Sequence, residues 1–358
     1  MDILMYIFAA FALLGAADRI IGNRFGVGRE FEKGIEAMAP LALAMVGMIC
    51  ISPALTNLLL PVIGPVAEFC GFDPSVIAGI VFANDMGGAA LAADLAKDPL
   101  VGGFNGLIVA AMMGATLSFT IPTALSTIDK TCHKEVLTGI LCGISTIPVG
   151  SFVSGLMLGI PVATLLINLL PVIVIAALTC VGIAKFPRVC IAVFSILGKL
   201  IVALITVGLA AGIFTALTDK TLIPGVGDIA DGFAVVAEIA VVLSGVFPLI
   251  YVVSKLLARP LSALARKFGM KDASILGFLS TLANSIPTMQ MAGDMDPKGR
   301  VLNLAFAVSA AFVFGDHLAF TTVFNGDFTP ALIVAKLVSG VSAVAVAALV
   351  WRAQQKKA

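Results

Sequence analysis

Residues 136–184 read VLTGILCGISTIPVGSFVSGLMLGIPVATLLINLLPVIVIAALTCVGIA, 49 residues without one Asp, Glu, Lys or Arg. A hydrocarbon core about 30 Å thick is crossed by roughly 20 apolar helical residues, so this run holds two crossings back to back. Working outward, residues 37–67 and 99–128 are equally free of charge. The whole chain is 60% hydrophobic and 12% charged, with a mean hydropathy of +1.11, about half the charged share of an ordinary soluble domain. These features predict an all-α polytopic membrane protein, and 358 residues leave no room for a sizeable soluble domain. One membrane domain over residues 1–358 is therefore expected. Residues 3–17 lack a basic n-region and a small-residue cleavage pattern, so they read as a retained helix. A formal charge of +1 gives no argument for nucleic acid, and six cysteines without a CxxC pair read as core thiols.

Eleven apolar segments stand out, at about 3–21, 37–66, 74–96, 102–128, 136–158, 162–184, 189–217, 232–254, 273–292, 301–323 and 328–350. Short loops rich in Lys and Arg stay cytoplasmic. Arg19, Arg24, Arg29 and Lys33 place the first loop inside, as do Lys255, Arg259, Arg266, Lys267 and Lys271 for the loop after segment eight. Seven full crossings between them would put the second loop outside. Segments three and nine have polar centres hostile to helix, Asn84-Asp85-Met86-Gly87-Gly88 and Asn284-Ser285-Ile286-Pro287. If both are re-entrant or broken-helix hairpins, nine full crossings satisfy every loop and the acidic 219–231 loop falls outside. The rival is an eleven-helix bundle that violates the charge rule. Gly71, Ile77 and Gly79 match Gly269, Ile275 and Gly277 at a spacing of 198, and Gly114, Phe119 and Thr120 match Gly315, Phe320 and Thr321 at 201. In the nine-crossing topology these matches relate units 31–160 and 232–352 as an inverted repeat, a transporter arrangement; chance similarity of small residues is the alternative.

Irregular backbone at membrane depth needs protein or a water-filled cavity around it, so the two hairpin tips are expected at a solute site. Asp85 and Asp316 are ionisable residues in apolar segments, and segments three, four, nine and ten offer no central Lys or Arg to neutralise them. That pattern points to a cationic solute. Asn84, Asn284 and Ser285 supply hydrogen-bonding groups at the tips, Pro287 is expected to free a carbonyl, and His317 suits proton coupling or a plain interhelical hydrogen bond. Thr116 and Thr120 are candidates either for the solute or for backbone carbonyls, and Phe119 and Phe320 for capping an ammonium or simple packing. Glu36 and Glu238 are candidate gates. No HExxH, GxSxG or phosphate-binding glycine motif is present, so neither a metal site, a cofactor, a hydrolase nor ATP-driven transport is expected.

Phe31-Glu32-Lys33-Gly34 leading into Leu41-Ala42-Leu43-Ala44-Met45-Val46-Gly47-Met48, then Asp85-Met86-Gly87-Gly88, and Met112-Met113-Gly114 followed by Ile121-Pro122 resemble, taken together, the EutH-type ethanolamine utilisation transporters of bacteria. The resemblance implies movement of ethanolamine across the inner membrane and transfers no residue-level site. Ethanolamine is mostly protonated at neutral pH, which fits Asp85 or Asp316. The other readings are a carrier for a different small amine, amino acid or cation, an ion channel, and an intramembrane aspartyl enzyme. Apart from solute and membrane lipid, a homodimer is compatible with the sequence.

Overall fold

A computed structural model describes residues 2–82, 88–267 and 269–356, and every regular element among them is helical. In chain order these are α1 (Asp2–Ile20), α2 (Val27–Glu36), α3 (Met38–Cys70), α4 (Ser75–Val81), α5 (Gly88–Leu95), α6 (Pro99–Thr127), α7 (His133–Met157), α8 (Val162–Lys185), α9 (Pro187–Thr218), α10 (Ile229–Lys267), α11 (Asp272–Ala283), α12 (Ser285–Gln290), α13 (Pro297–Ala310), α14 (Asp316–Asn325) and α15 (Thr329–Gln355). Eight helical stretches among the described residues are long and apolar enough to cross a membrane. α6 is the most enclosed of them, with Phe104, Leu107, Ile108, Met112 and Met113 fully buried. Between Phe104 and Gly114, and again from Thr116 to Thr120, α6 is π-helical. The second stretch precedes Pro122, whose missing N–H and bulky ring such a widened turn accommodates.

Without a hydrophobic drive between helices in lipid, close packing relies on small residues. A Cβ at Gly150 in α7 would collide with the Ala335 carbonyl of α15, and one at Gly208 in α9 with the Gly47 carbonyl of α3. At one end of the molecule, the Tyr251 hydroxyl and Lys255 ammonium of α10 donate to the Phe25 carbonyl at 3.1 and 3.4 Å. The basic loop before α2 and the basic end of α10 thus lie together.

Both polar-centred segments return to where they start. After α4 and α5 the chain comes back to Asp73, whose Oδ2 accepts from the N–H groups of Lys97 and Asp98 at 2.9 and 3.1 Å while its Oδ1 accepts from the Ser75 N–H and hydroxyl. The second hairpin turns at Asn284, which is extended (φ −156°, ψ 129°) and accepts from the Ile286 N–H at 2.8 Å. α12 then folds back along α11: the Thr288 hydroxyl donates to the Gly277 carbonyl at 2.8 Å and pairs with the Thr281 hydroxyl at 2.9 Å. Asp296 closes the base, its Oδ2 accepting from the Lys271 N–H and the Ser274 hydroxyl at 3.0 and 2.8 Å. Pro287 sits in the first turn of α12, where the N–H it lacks would have had no intrahelical partner. It therefore starts a helix there rather than interrupting one.

The hairpin bases lie at opposite ends of α6. Asp98 caps the start of that helix, accepting from the Leu100 N–H at 2.8 Å. Just past its other end, Arg300 in the first turns of α13 donates to Cys132 Sγ at 3.0 Å and lies 3.7 Å from Glu135.

Segment ten departs from the expected continuous crossing. α13 stops at Ala310, residues 311–315 leave the helix, and α14 begins at Asp316. The physical reason is the hairpin beside it: α11 ends at Ala283, so its last carbonyls have no intrahelical donors. The N–H groups of Phe312 and Phe314 donate to the Thr281 and Leu282 carbonyls at 3.0 and 2.8 Å. To do so Phe312 takes a left-handed conformation (φ 62°), at a cost of about 1–2 kcal/mol for a non-glycine residue.

Candidate functional site

Both hairpins pack against α6, and α13 and α14 on either side of the break in segment ten pack against α15; most sequence candidates among the described residues lie on these elements. Asn84 and Asp85 lie outside the described residues. Asn284 forms the turn of the second hairpin, and next to it Ser285 is fully buried, its hydroxyl without a hydrogen-bond partner among the described residues. The hydroxyls of Ser309, at the end of α13, and Thr321, in α14, are likewise buried and unpartnered. Unpaired hydroxyls at membrane depth cost free energy unless a solute or water meets them.

From α6, Thr116 spends its hydroxyl on the backbone, donating to the Met112 carbonyl at 2.6 Å and approaching the Val308 carbonyl at 3.1 Å. Its role is thus to hold α6 against α13. Thr120 is buried one turn on. Phe119 meets Phe312 edge to face with ring centres 5.9 Å apart, and Phe312 in turn covers the His317 ring at 5.2 Å. Phe320 is buried and stacks on Phe324 at 5.2 Å. Asp316 is the first residue of α14, half-buried and not without a partner, at a helix start that favours negative charge.

Sequence reasoning missed Lys336. It is fully buried in α15, and its Nζ donates to the Ala111 carbonyl of the π-helical stretch at 2.7 Å and lies 3.0 Å from His317 Nδ1. Segments three, four, nine and ten still hold no central Lys or Arg; the buried base comes from segment eleven and meets His317, the sequence neighbour of Asp316. The signal was available, because Lys336 is the sole charged residue between Asp327 and Arg352. The test applied to acids in apolar segments applies equally to bases.

A cleft of about 420 Å³ reaches the hairpin turn, lined by Glu30 and Lys33 of α2, Tyr251 and Ser254 of α10, and Asn284 and Pro287. It connects the basic end of the molecule with the tip of the second hairpin. Outside the membrane interior, burial raises the Asp296 carboxyl, but hydrogen bonds from the Lys271 and Gly299 N–H groups and the Ser274 hydroxyl hold it below the ordinary range. Glu36 and Glu238 are both exposed and line no part of this cleft. Among the described residues, no three His, Cys, Asp or Glu side chains group as metal ligands would.

The profile of the family described as "Ethanolamine utilisation protein, EutH" matches residues 1–350. The chain is 46% identical over 356 residues to the "Probable ethanolamine permease EutH" of Listeria monocytogenes, covering 99% of this chain and 95% of that protein. It is 38% identical over 384 residues to the protein of the same description in Escherichia coli, covering 97% and 94%. An uncharacterised protein of Bacillus subtilis, YxeR, is 38% identical over 356 residues, covering 99% and 96%. No solved structure matches the chain.

Proposed function

The chain belongs to the EutH family, and from that premise we propose that it carries ethanolamine, as the ethanolammonium cation, across the bacterial inner membrane as a multi-pass permease. Full-length similarity to proteins described as ethanolamine permeases carries this reading. Its chemistry agrees with the interior. Asp316 supplies negative charge, Phe119 and Phe320 present ring faces, Thr120, Asn284 and Ser285 offer polar groups to the alcohol, and Thr116 holds the frame. Asn84 and Asp85 complete the set in this proposal.

We further propose nine crossings and two re-entrant hairpins, with residues 31–160 and 232–352 as inverted repeats within one domain. Supporting this are the closed hairpin bases at opposite ends of α6 and a set of paired roles at a spacing of 198, or 199 for the serines Ser75 and Ser274. Asp98 and Asp296 cap the helices after each hairpin. Asn105 Nδ2 donates to the Ser75 hydroxyl at 2.9 Å and Asn303 Nδ2 to the Ser274 carbonyl at 2.7 Å. Gly79 and Gly277 are the positions where the same two asparagines press closest. Alternating access then rocks one unit against the other. A homodimer stays a proposal that the mass of the detergent-solubilised protein decides.

The experiment is uptake of radiolabelled ethanolamine into proteoliposomes at a pH low enough to suppress leakage of the neutral amine. Saturable uptake that falls at least tenfold in Asp316→Asn and Asp85→Asn is expected. Wild-type flux equal to that of empty liposomes contradicts the proposal.

A further inference from the structure

Lys336 and His317 are two basic groups in direct contact, both buried, at the junction of α6, α14 and α15. Their surroundings are low in polarity: Phe312 covers the imidazole, and α6 contributes no ionisable side chain. The other packed elements carry Asp316 on α14; Asp231, Glu238, Tyr251 and Lys255 on α10; His133, Lys134, Glu135 and Cys142 on α7; Lys298 and Arg300 on α13; and Asp327 in the turn before α15. Of these, Arg300 is committed to Glu135 and Cys132, and Tyr251 and Lys255 to the Phe25 carbonyl. No ion pair joins Lys336 to a carboxylate among the described residues.

Two adjacent buried bases do not both hold a positive charge at low cost, since each charge raises the cost of the other. The geometry serves two protonation states. As an ammonium, Lys336 donates to the Ala111 carbonyl and to His317 Nδ1, the imidazole keeping its own proton on Nε2. As a neutral amine it still has two N–H groups for the same two acceptors, so losing the proton breaks neither hydrogen bond. A group whose partners are satisfied in both states is suited to exchange a proton within a fixed frame.

Resting on the transport reading above, we propose that Lys336 and His317 form an intramembrane proton-binding site that gives up its proton to solution when ethanolammonium binds, and takes it back when the cation leaves. The interior then carries one mobile positive charge at a time. The proton leaves Lys336 Nζ, its electron pair stays on nitrogen, and water receives the proton.

The chain has only two histidines, so ring-¹⁵N NMR of the purified protein, with His133→Gln for assignment, observes His317 directly. Between pH 5 and 9 the His317 ring signals are expected to report gain and loss of one proton at the pair, and Lys336→Met to move that titration. Ring signals constant across this range in the wild type overturn the proposal. In weakly buffered detergent solution, ethanolamine binding is expected to release up to one proton per molecule bound in wild type and none in Lys336→Met or His317→Gln. Binding without release at every pH from 6 to 8 also overturns it. If ethanolamine does not bind the wild type, the transport reading fails, and the NMR titration by itself still decides whether the pair is a proton site.

Discussion

Asp296 accepts from Lys271, Ser274 and Gly299, joining the start of α11 to the start of α13 through a single carboxylate. Removing such a cap costs about 0.5–2 kcal/mol, so Asp296→Ala is expected to lower the Tm in detergent by a few degrees. Its folded pKa lies below the unfolded value, so its stabilisation is present above the unfolded pKa and is lost as pH falls through the folded one. Tm measured from pH 6 down to pH 3 is expected to fall more steeply for wild type than for Asp296→Asn, and parallel curves contradict this. At the same scale, sequence and structure parted over side-chain engagement. Thr116 was legible as a candidate, but only tertiary packing shows that its hydroxyl sits between the Met112 and Val308 carbonyls. Lys336 was visible as a lone charge in an apolar run, yet its contact with His317 joins positions 19 residues apart through folding.

The hairpins and breaks belong to the scale of the element. The turn at Asn284 was readable because Asn, Ser and Pro cluster there, and each suits a helix start better than a helix interior. The break at 311–315 was not readable. Phe312-Val313-Phe314 has the composition of ordinary membrane helix, and its distortion is imposed by carbonyls of α11 about 30 residues earlier. If Asp73 closes the first hairpin, Asp73→Ala frees the N–H groups of Lys97 and Asp98. Hydrogen exchange in residues 88–98 is then expected to speed up at least tenfold while α7 is unchanged; equal protection would contradict the clamp. Helix contact is tested by Gly150→Ala, whose methyl group meets the Ala335 carbonyl and the Ser339 hydroxyl. Overpacking of this kind costs about 1–3 kcal/mol, seen as a lower Tm, whereas Gly159→Ala faces a left-handed φ of 76° without a steric neighbour and separates the two effects.

For the whole molecule, charge asymmetry carried most of what was legible: it singled out the two segments with polar centres and grouped the basic loops. The contacts of Tyr251 and Lys255 with Phe25, and of Arg300 with Glu135, bring such loops together in pairs. In a cysteine-free background, Thr131→Cys and Lys298→Cys are expected to react with an impermeant thiol reagent only from the cytoplasmic face, and Lys220→Cys only from the other. Labelling of Lys298→Cys and Lys220→Cys from the same face would remove the nine-crossing topology. The central claim is that ethanolamine binds where the hairpin turn meets α6 and α14. It is tested most directly by Ser285→Cys in the same background, labelled by a small permeant thiol reagent with and without ethanolamine. Saturable protection of Ser285→Cys by ethanolamine is expected, with no protection of a control such as Thr131→Cys. Ethanolamine uptake by this variant together with unaltered labelling at every ethanolamine concentration would contradict it.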